Sequence, residues 1–137
     1  MAVTPYLALE GRCEEAIEFY KKNLGANVQV MMRFKDGPPE FKCSPGTENK
    51  IMHSCLTING SQVMMSDGQA KGHAEFKGIA LTLDAKTKAE GEKMFNALAQ
   101  GGQVQMPMNE TFFADGFGMV ADKFGVGWMI IAGAKNP

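Results

Sequence analysis

Apolar residues along this chain alternate between a two-residue and a 3.6-residue period, and each change of period marks an element. Residues 3–10 alternate weakly and predict a strand, broken by Gly11-Arg12. Cys13, Ala16, Ile17, Tyr20 and Leu24 then recur at helical spacing, with Glu14, Glu15, Glu18, Lys21 and Lys22 on the other faces. Early acids and late lysines suit the helix dipole, Glu18 and Lys22 form the well-oriented i,i+4 pair, and Gly25 is the natural stop. Residues 27–34 are rich in Val and Met and predict a second strand. Lys35 to Asn49, holding Gly37-Pro38-Pro39 and Ser44-Pro45-Gly46, predict a long loop. Ile51–Ile58 and Ser61–Ser66 read as two strands of a hairpin, because Asn59-Gly60 tolerates the positive φ that a two-residue hairpin turn requires. Residues 68–75 form a polar connector.

The pattern then repeats. Lys77–Leu83 predicts a strand, and Thr87-Lys-Ala-Glu90 has the spacing of a capping box at a helix start. Gly91, Met94, Phe95 and Leu98 share one helical face, which Gly101-Gly102 terminates. Gln103–Phe113 predicts a strand interrupted by Pro107, hence an edge or a bulge. Phe117–Ala121 and Gly127–Ala132 predict a closing hairpin around Lys123-Phe124-Gly125-Val126. One offset of 76 residues relates Phe19 to Phe95, Gly25 to Gly101, Val28 to Val104 and Gln29 to Gln105. A strand-helix-strand unit is thus duplicated, and a site built between the two copies is expected. The 35–50 loop belongs to the first copy alone, and such asymmetric loops tend to carry function.

With 137 residues, the chain reads as a single domain, 1–137, with module one at about 1–68 and module two at about 74–134. It holds 14 basic and 15 acidic residues without a basic stripe, which excludes the electrostatic footprint of a nucleic-acid binder. No run of apolar residues approaches a membrane span, and the first residues lack the regions of a signal peptide, so the cytoplasm is the expected compartment. Cys13, Cys43 and Cys55 are odd in number and unpaired in spacing, which predicts free thiols rather than disulfides or a zinc clip. Cys43, in the Pro/Gly-rich loop, is the expected reactive thiol.

Pro5-Tyr6-Leu7, Glu15-Ala16-Ile17-Glu18-Phe19-Tyr20, Leu24-Gly25-Ala26, Val63-Met64-Met65-Ser66-Asp67 and the block from Gly116-Phe117-Gly118 through Asp122-Lys123-Phe124-Gly125-Val126-Gly127-Trp128-Met129-Ile130 resemble the PhnB-like branch of the vicinal oxygen chelate superfamily. That superfamily includes glyoxalase I and bleomycin-resistance proteins, and the branch sometimes carries a demethylubiquinone methyltransferase-like name. The resemblance runs nearly end to end. It implies an α+β fold in which two βαβββ modules form curved mixed sheets around a cup, within one chain or between two chains of a homodimer. No Gly-rich strand-to-helix loop of the nucleoside-binding kind supports the methyltransferase label.

Metal-dependent members of the superfamily take one ligand from an inward position on the first and last strand of each module. Here those places fall at Pro5 or Tyr6, near Asp67, at Gly78 or Ile79, and at Met129, where only Asp67 could ligate a hard divalent ion. The expectation is therefore no metal, no cofactor and a metal-free cup. Asp67, followed by Gly68, has a competing role as a turn residue that caps its own backbone. His53 and Asp67 are the candidate acid–base groups, although a structural His53 is the plainer reading; His73 falls in the connector.

Cup-lining positions alternate along each strand. The choices are Met52 or His53, Met64 or Met65, and Phe112 or Phe113, with Met119 and Trp128; the alternation is set while its phase stays open. Met65, Asp67, Phe113, Met119 and Trp128 are the candidate ligand residues. A buried Trp128 would also need a partner for its indole N–H. The functional expectation is a homodimer binding a small, partly apolar molecule, as bleomycin-resistance proteins do. The alternatives are an isomerase, lyase or transferase on a small oxygenated substrate, and a plain structural dimer.

Overall fold

A computed structural model of the chain describes residues 2–38, 45–70 and 72–135. The chain divides into two compact units, Met1–Ala74 and Glu75–Pro137. Cys43 and part of the predicted loop lie outside the described residues.

The first unit runs β1 (Tyr6–Ala8), α1 (Cys13–Leu24), β2 (Asn27–Arg33), a 3-10 turn (Phe34–Asp36), β3 (Ile51–Ile58) and β4 (Ser61–Ser66). Its sheet has the order β1-β4-β3-β2, with β1 parallel to β4 and the other pairs antiparallel. The predicted hairpin is present to the residue: Asn59 (φ 51°) and Gly60 (φ 85°) turn the chain, and Ile58 pairs with Ser61. Helix α1 buries Cys13, Ala16, Ile17, Phe19 and Tyr20 and ends at Gly25 in the left-handed conformation. Two expectations shift here. The first strand contracts to three residues, and Glu18 pairs with Lys21 at 3.5 Å, the i,i+3 neighbour, in place of Lys22.

The second unit repeats the plan with β5 (Leu81–Ala85), α2 (Lys88–Ala99), β6 (Gln103–Asn109), β7 (Ala114–Ala121) and β8 (Gly127–Ala134). Its order, β5-β8-β7-β6, matches the first, with β5 parallel to β8. Thr87 Oγ1 accepts the Glu90 N–H and caps α2. A turn at residues 77–78 delays β5 to Leu81, four residues beyond the expected start. β6 is an edge strand with register shifts on both sides of Met106, near Pro107, as anticipated. Phe113 falls outside β6, because Thr111 Oγ1 accepts the N–H groups of Phe113 and Ala114 and turns the chain there.

Each sheet packs one face against its helix. In the first unit that face carries Leu7, Ser54, Leu56, Val63 and Met65, all buried. In the second it carries Leu83, Val120, Trp128, Ile130 and Ala132. A β-carbon added at Gly91 of α2 would sit 2.5 Å from the Ala132 Cβ, so the helix lies directly on β8. The opposite face of each sheet is open or half-buried, and the candidate chemistry lies there.

Candidate functional site

The open face of the first sheet is built from three neighbouring strands. Tyr6 on β1 is the register partner of Met64 on β4, and Met64 is the partner of Cys55 on β3. His53 lies two residues from Cys55 and therefore on the same face. The Tyr6 hydroxyl and His53 Nδ1 are 3.1 Å apart, and the two rings stack with centroids 5.7 Å apart and planes 22° from parallel. Beside them, Gln62 Nε2 donates to Gln29 Oε1 at 3.3 Å, and Cys55 Sγ approaches the same oxygen at 3.9 Å. The Oγ1 of Thr57, on this face opposite Gln62, is buried without a partner among the described residues.

The open face of the second sheet is apolar by comparison. Phe117 and Met119 on β7 pair with Ile131 and Met129 on β8, and Met106 on the edge strand pairs with Met119. Phe113 meets Phe117 edge-on, with centroids 5.2 Å apart. Of the predicted ligand residues, Phe113 and Met119 are therefore brought together through Phe117, and both are half-buried.

Three predicted ligand residues lie elsewhere. Met65 is fully buried beside Ser54, whose hydroxyl donates to the Met65 carbonyl and lies 3.9 Å from Cys13 Sγ on α1. Trp128 is buried on the helix side, its indole N–H donating to Asp122 Oδ2 at 2.9 Å. Asp67 is 1% exposed: Oδ1 accepts the N–H groups of Gly11 (3.0 Å) and Cys13 (2.7 Å), and Oδ2 accepts that of Ile51 (2.6 Å). The carboxylate thus closes the start of α1 and the start of β3. The carboxylate serves distant backbone donors in place of the expected cap on its own turn, and this corrects Asp67 as a ligand or acid–base residue, since its lone pairs face those donors. The phase of the strands corrects Met65 and Trp128 in favour of their neighbours Met64 and Met129. His53 remains on the open face, and His73 lies exposed in the connector.

The phase also revises the four superfamily ligand places. On the open faces, Tyr6 of β1 stands opposite Met64 of β4 in the first unit, and Thr82 and Asp84 of β5 stand opposite Met129 and Ile131 of β8 in the second. Gly78 and Ile79 precede β5. In the first unit a phenol and a thioether, and in the second an alcohol, a thioether and the single carboxylate of Asp84, give neither unit the several carboxylate or imidazole donors that a hard divalent ion needs. Among the described residues, no group of three or more His, Cys, Asp or Glu is placed to hold a metal.

Near the helix of the first unit, Cys13 and Glu14 are shifted by local causes. Burial, followed by the charge of Asp67, pushes the Cys13 thiol up to about 12, so Cys13 stays protonated and inert. Arg33 donates to both carboxylate oxygens of Glu14, at 3.1 and 2.6 Å, and these bonds hold the Glu14 carboxyl below its ordinary range. A further bond from Arg33 to the Asn49 carbonyl ties α1 and the end of β2 to the approach to β3.

Cys55 and Phe117 escaped the sequence reading, while Met64 stood there only as the alternative to Met65, and Tyr6 and Met129 only as ligand places implied by the family resemblance. The hairpin register could have found Met64 and Cys55, since Asn59-Gly60 sets Ile58 opposite Ser61 and every pair beyond follows. Both faces of β8 are apolar, so no pattern singles out Met129 there.

The family model described as 3-demethylubiquinone-9 3-methyltransferase matches residues 1–131. Protein YjdN of Escherichia coli (strain K12) is 38% identical over 145 residues, covering 100% of this chain and 99% of that one. Among solved structures, protein PA1353 from Pseudomonas aeruginosa is 40% identical with a TM-score of 0.85, covering 96% of this chain and 97% of that chain. The PhnB protein from Bacillus cereus is 28% identical with a TM-score of 0.79, covering 96% and 99%. The fosfomycin resistance protein FosX from Listeria monocytogenes is similar in fold alone, at 10% identity and a TM-score of 0.65 over 97% and 93% of the two chains. No described helix is long and apolar enough to cross a membrane.

Proposed function

The chain belongs to the family described as 3-demethylubiquinone-9 3-methyltransferase, within the vicinal oxygen chelate superfamily, and on that premise we propose that it is a cytoplasmic homodimer that binds a small, partly apolar molecule. The observation that carries this reading is the make-up of the open sheet faces. Aromatic rings and thioethers dominate them, with a few polar groups at fixed places: the Tyr6–His53 pair, the Gln29–Gln62 amides and the Thr57 hydroxyl, which has no partner among the described residues. Apolar surface with sparse, oriented polar groups is what recognition of a small organic molecule requires. Thioethers add adaptability, since Met repacks around ligands of different outline. Such recognition needs no hard divalent ion.

The test is a panel of apolar, aromatic and oxygenated compounds screened against protein carrying 13C at its methionine methyls. Binding is expected to shift, in a saturable way, the Met64 methyl on the first sheet or the Met119 and Met129 methyls on the second. A panel that moves none of them overturns the reading.

The Tyr6–His53 hydrogen bond favours a second reading, in which the same face performs acid–base chemistry on an oxygenated substrate. An imidazole oriented by a phenol is a competent proton acceptor within reach of a bound molecule. On this reading His53→Ala removes turnover and leaves ligand affinity within about threefold, a kcat effect rather than a binding effect. Equal turnover in His53→Ala would rule it out.

A further inference from the structure

We propose that the open face of the first sheet is also a binding site for a soft monovalent metal ion, Cu(I) or Ag(I), with Cys55, Met64 and His53 as ligands and Tyr6 as the residue that positions His53. This goes beyond small-molecule recognition and does not depend on it.

The register supplies the donors. Cys55 and Met64 face each other across β3 and β4, so their β-carbons stand at the cross-strand spacing of about 4.5–5.5 Å. His53 projects from the same face two residues along β3. Met32, its register partner on β2, brings a second thioether to its flank. The Tyr6–His53 contact of 3.1 Å occupies Nδ1 and leaves Nε2 as the ring nitrogen open to a ligand. Metal-binding imidazoles are held in just this manner, with the second ring nitrogen engaged by a fixed neighbour.

Thiolate, thioether and imidazole together form a soft donor set, which selects Cu(I) over hard divalent ions. The set contains one thiol and one imidazole, and the thioethers complete it, so it differs in chemistry from the superfamily's His/Glu set; of the superfamily places it shares only Met64 and the positioning residue Tyr6, while Cys55 and His53 come from β3. On binding, the Cys55 S–H bond breaks, the sulfur pair forms the metal bond, and the proton passes to solvent without any change of oxidation state. Cys13 does not compete, being fully buried against Ser54.

The test uses a Cys43→Ser protein, which removes the loop thiol, labelled with 13C at the methionine methyls. It is titrated anaerobically with Cu(I) against bicinchoninate, and with Ag(I) as a probe without redox chemistry. A single equivalent is expected to bind with release of a proton and displacement of the Met64 methyl resonance, identified from Met64→Leu. Tyr6→Phe is expected to lower affinity by roughly tenfold or more, the usual cost of losing a ligand-orienting partner, and Cys55→Ser to abolish binding. Two results overturn the proposal: a Met64 methyl that stays in place while metal binds, or unchanged affinity in Met64→Leu and Tyr6→Phe, either of which leaves Cys55 an isolated thiol. The methyl readout is made with the whole site intact, so a variant that folds poorly does not decide the outcome. Failure here would leave the small-molecule titration unaffected.

Discussion

Asp67 and Asp122 each follow a strand and turn a carboxylate inward, where it serves backbone donors. Asp122 Oδ1 accepts the N–H groups of Phe124 and Val126 within its own turn, and Oδ2 receives the Trp128 indole. Asp67 reaches instead to Gly11, Cys13 and Ile51, so one side chain joins the start of α1 to the central strand. No side chain of Arg12, at the N-cap itself, performs this task. Asp67→Asn keeps the shape but offers one acceptor oxygen in place of two. At least one buried N–H then loses its charged partner, at about 1–3 kcal/mol each. The expected loss is about 2–4 kcal/mol of unfolding free energy in a urea titration, with no change in ligand affinity; an unchanged midpoint would contradict the stapling role. The Asp-Gly pair was legible as a turn in the sequence, with Asp67 read as capping its own backbone. Its partners were not, because 54 and 56 residues separate Asp67 from Cys13 and Gly11, and spacing carries no information over such loops.

The elements were legible wherever a local steric rule acts. Asn59-Gly60 and Gly25 ended their elements where positive φ is needed, and β3 and β4 emerged with their full bounds. The phase of the strands was less accessible. On β8, Trp128, Ile130 and Ala132 face the helix while Met129 and Ile131 face outward, and both sets are equally hydrophobic. The available clue was on β7, where Gly116 and Gly118 alternate with Phe117 and Met119. Glycine on one face of a strand marks close backbone approach, and a β-carbon at Gly118 would meet Phe95 of α2 at 2.8 Å. Gly91 makes the same point from the helix. Replacing a helical Gly with Ala gains about 1 kcal/mol of propensity, but here the new methyl falls 2.5 Å from the Ala132 Cβ, itself short and fixed to the backbone. Overpacking of this kind costs about 1–3 kcal/mol. Gly91→Ala is therefore expected to be net destabilising by about 1 kcal/mol, and adding Ala132→Gly should recover much of the loss. A stabilised Gly91→Ala, seen as a raised melting temperature, would show that α2 does not rest on β8 as described.

At the scale of the whole molecule, the duplication bears on assembly. The 76-residue offset carries Val28 to Val104 and Val30 to Met106, and it therefore relates β2 to β6, the matching edge strands of the two sheets. Both edges are unusually apolar and open: Val30 is 42% exposed, Met31 43%, Val104 50% and Met106 44%. An exposed edge of this length and composition is a template for pairing, and proteins blunt or cover such edges. Covering by a second copy is the solution that duplication makes available, because a two-fold axis that sets β2 against the partner's β6 sets β6 against the partner's β2 in the same step. The consequence is specific. Sedimentation should give twice the chain mass, and Val30→Lys or Val104→Lys alone should each shift the species to a single chain while circular dichroism stays constant, since each lysine enters the contact twice. A wild-type mass of one chain would overturn the dimer. Dissociation by only one of the two lysines would keep the dimer but remove the reciprocal pairing, leaving one apolar edge still to be accounted for.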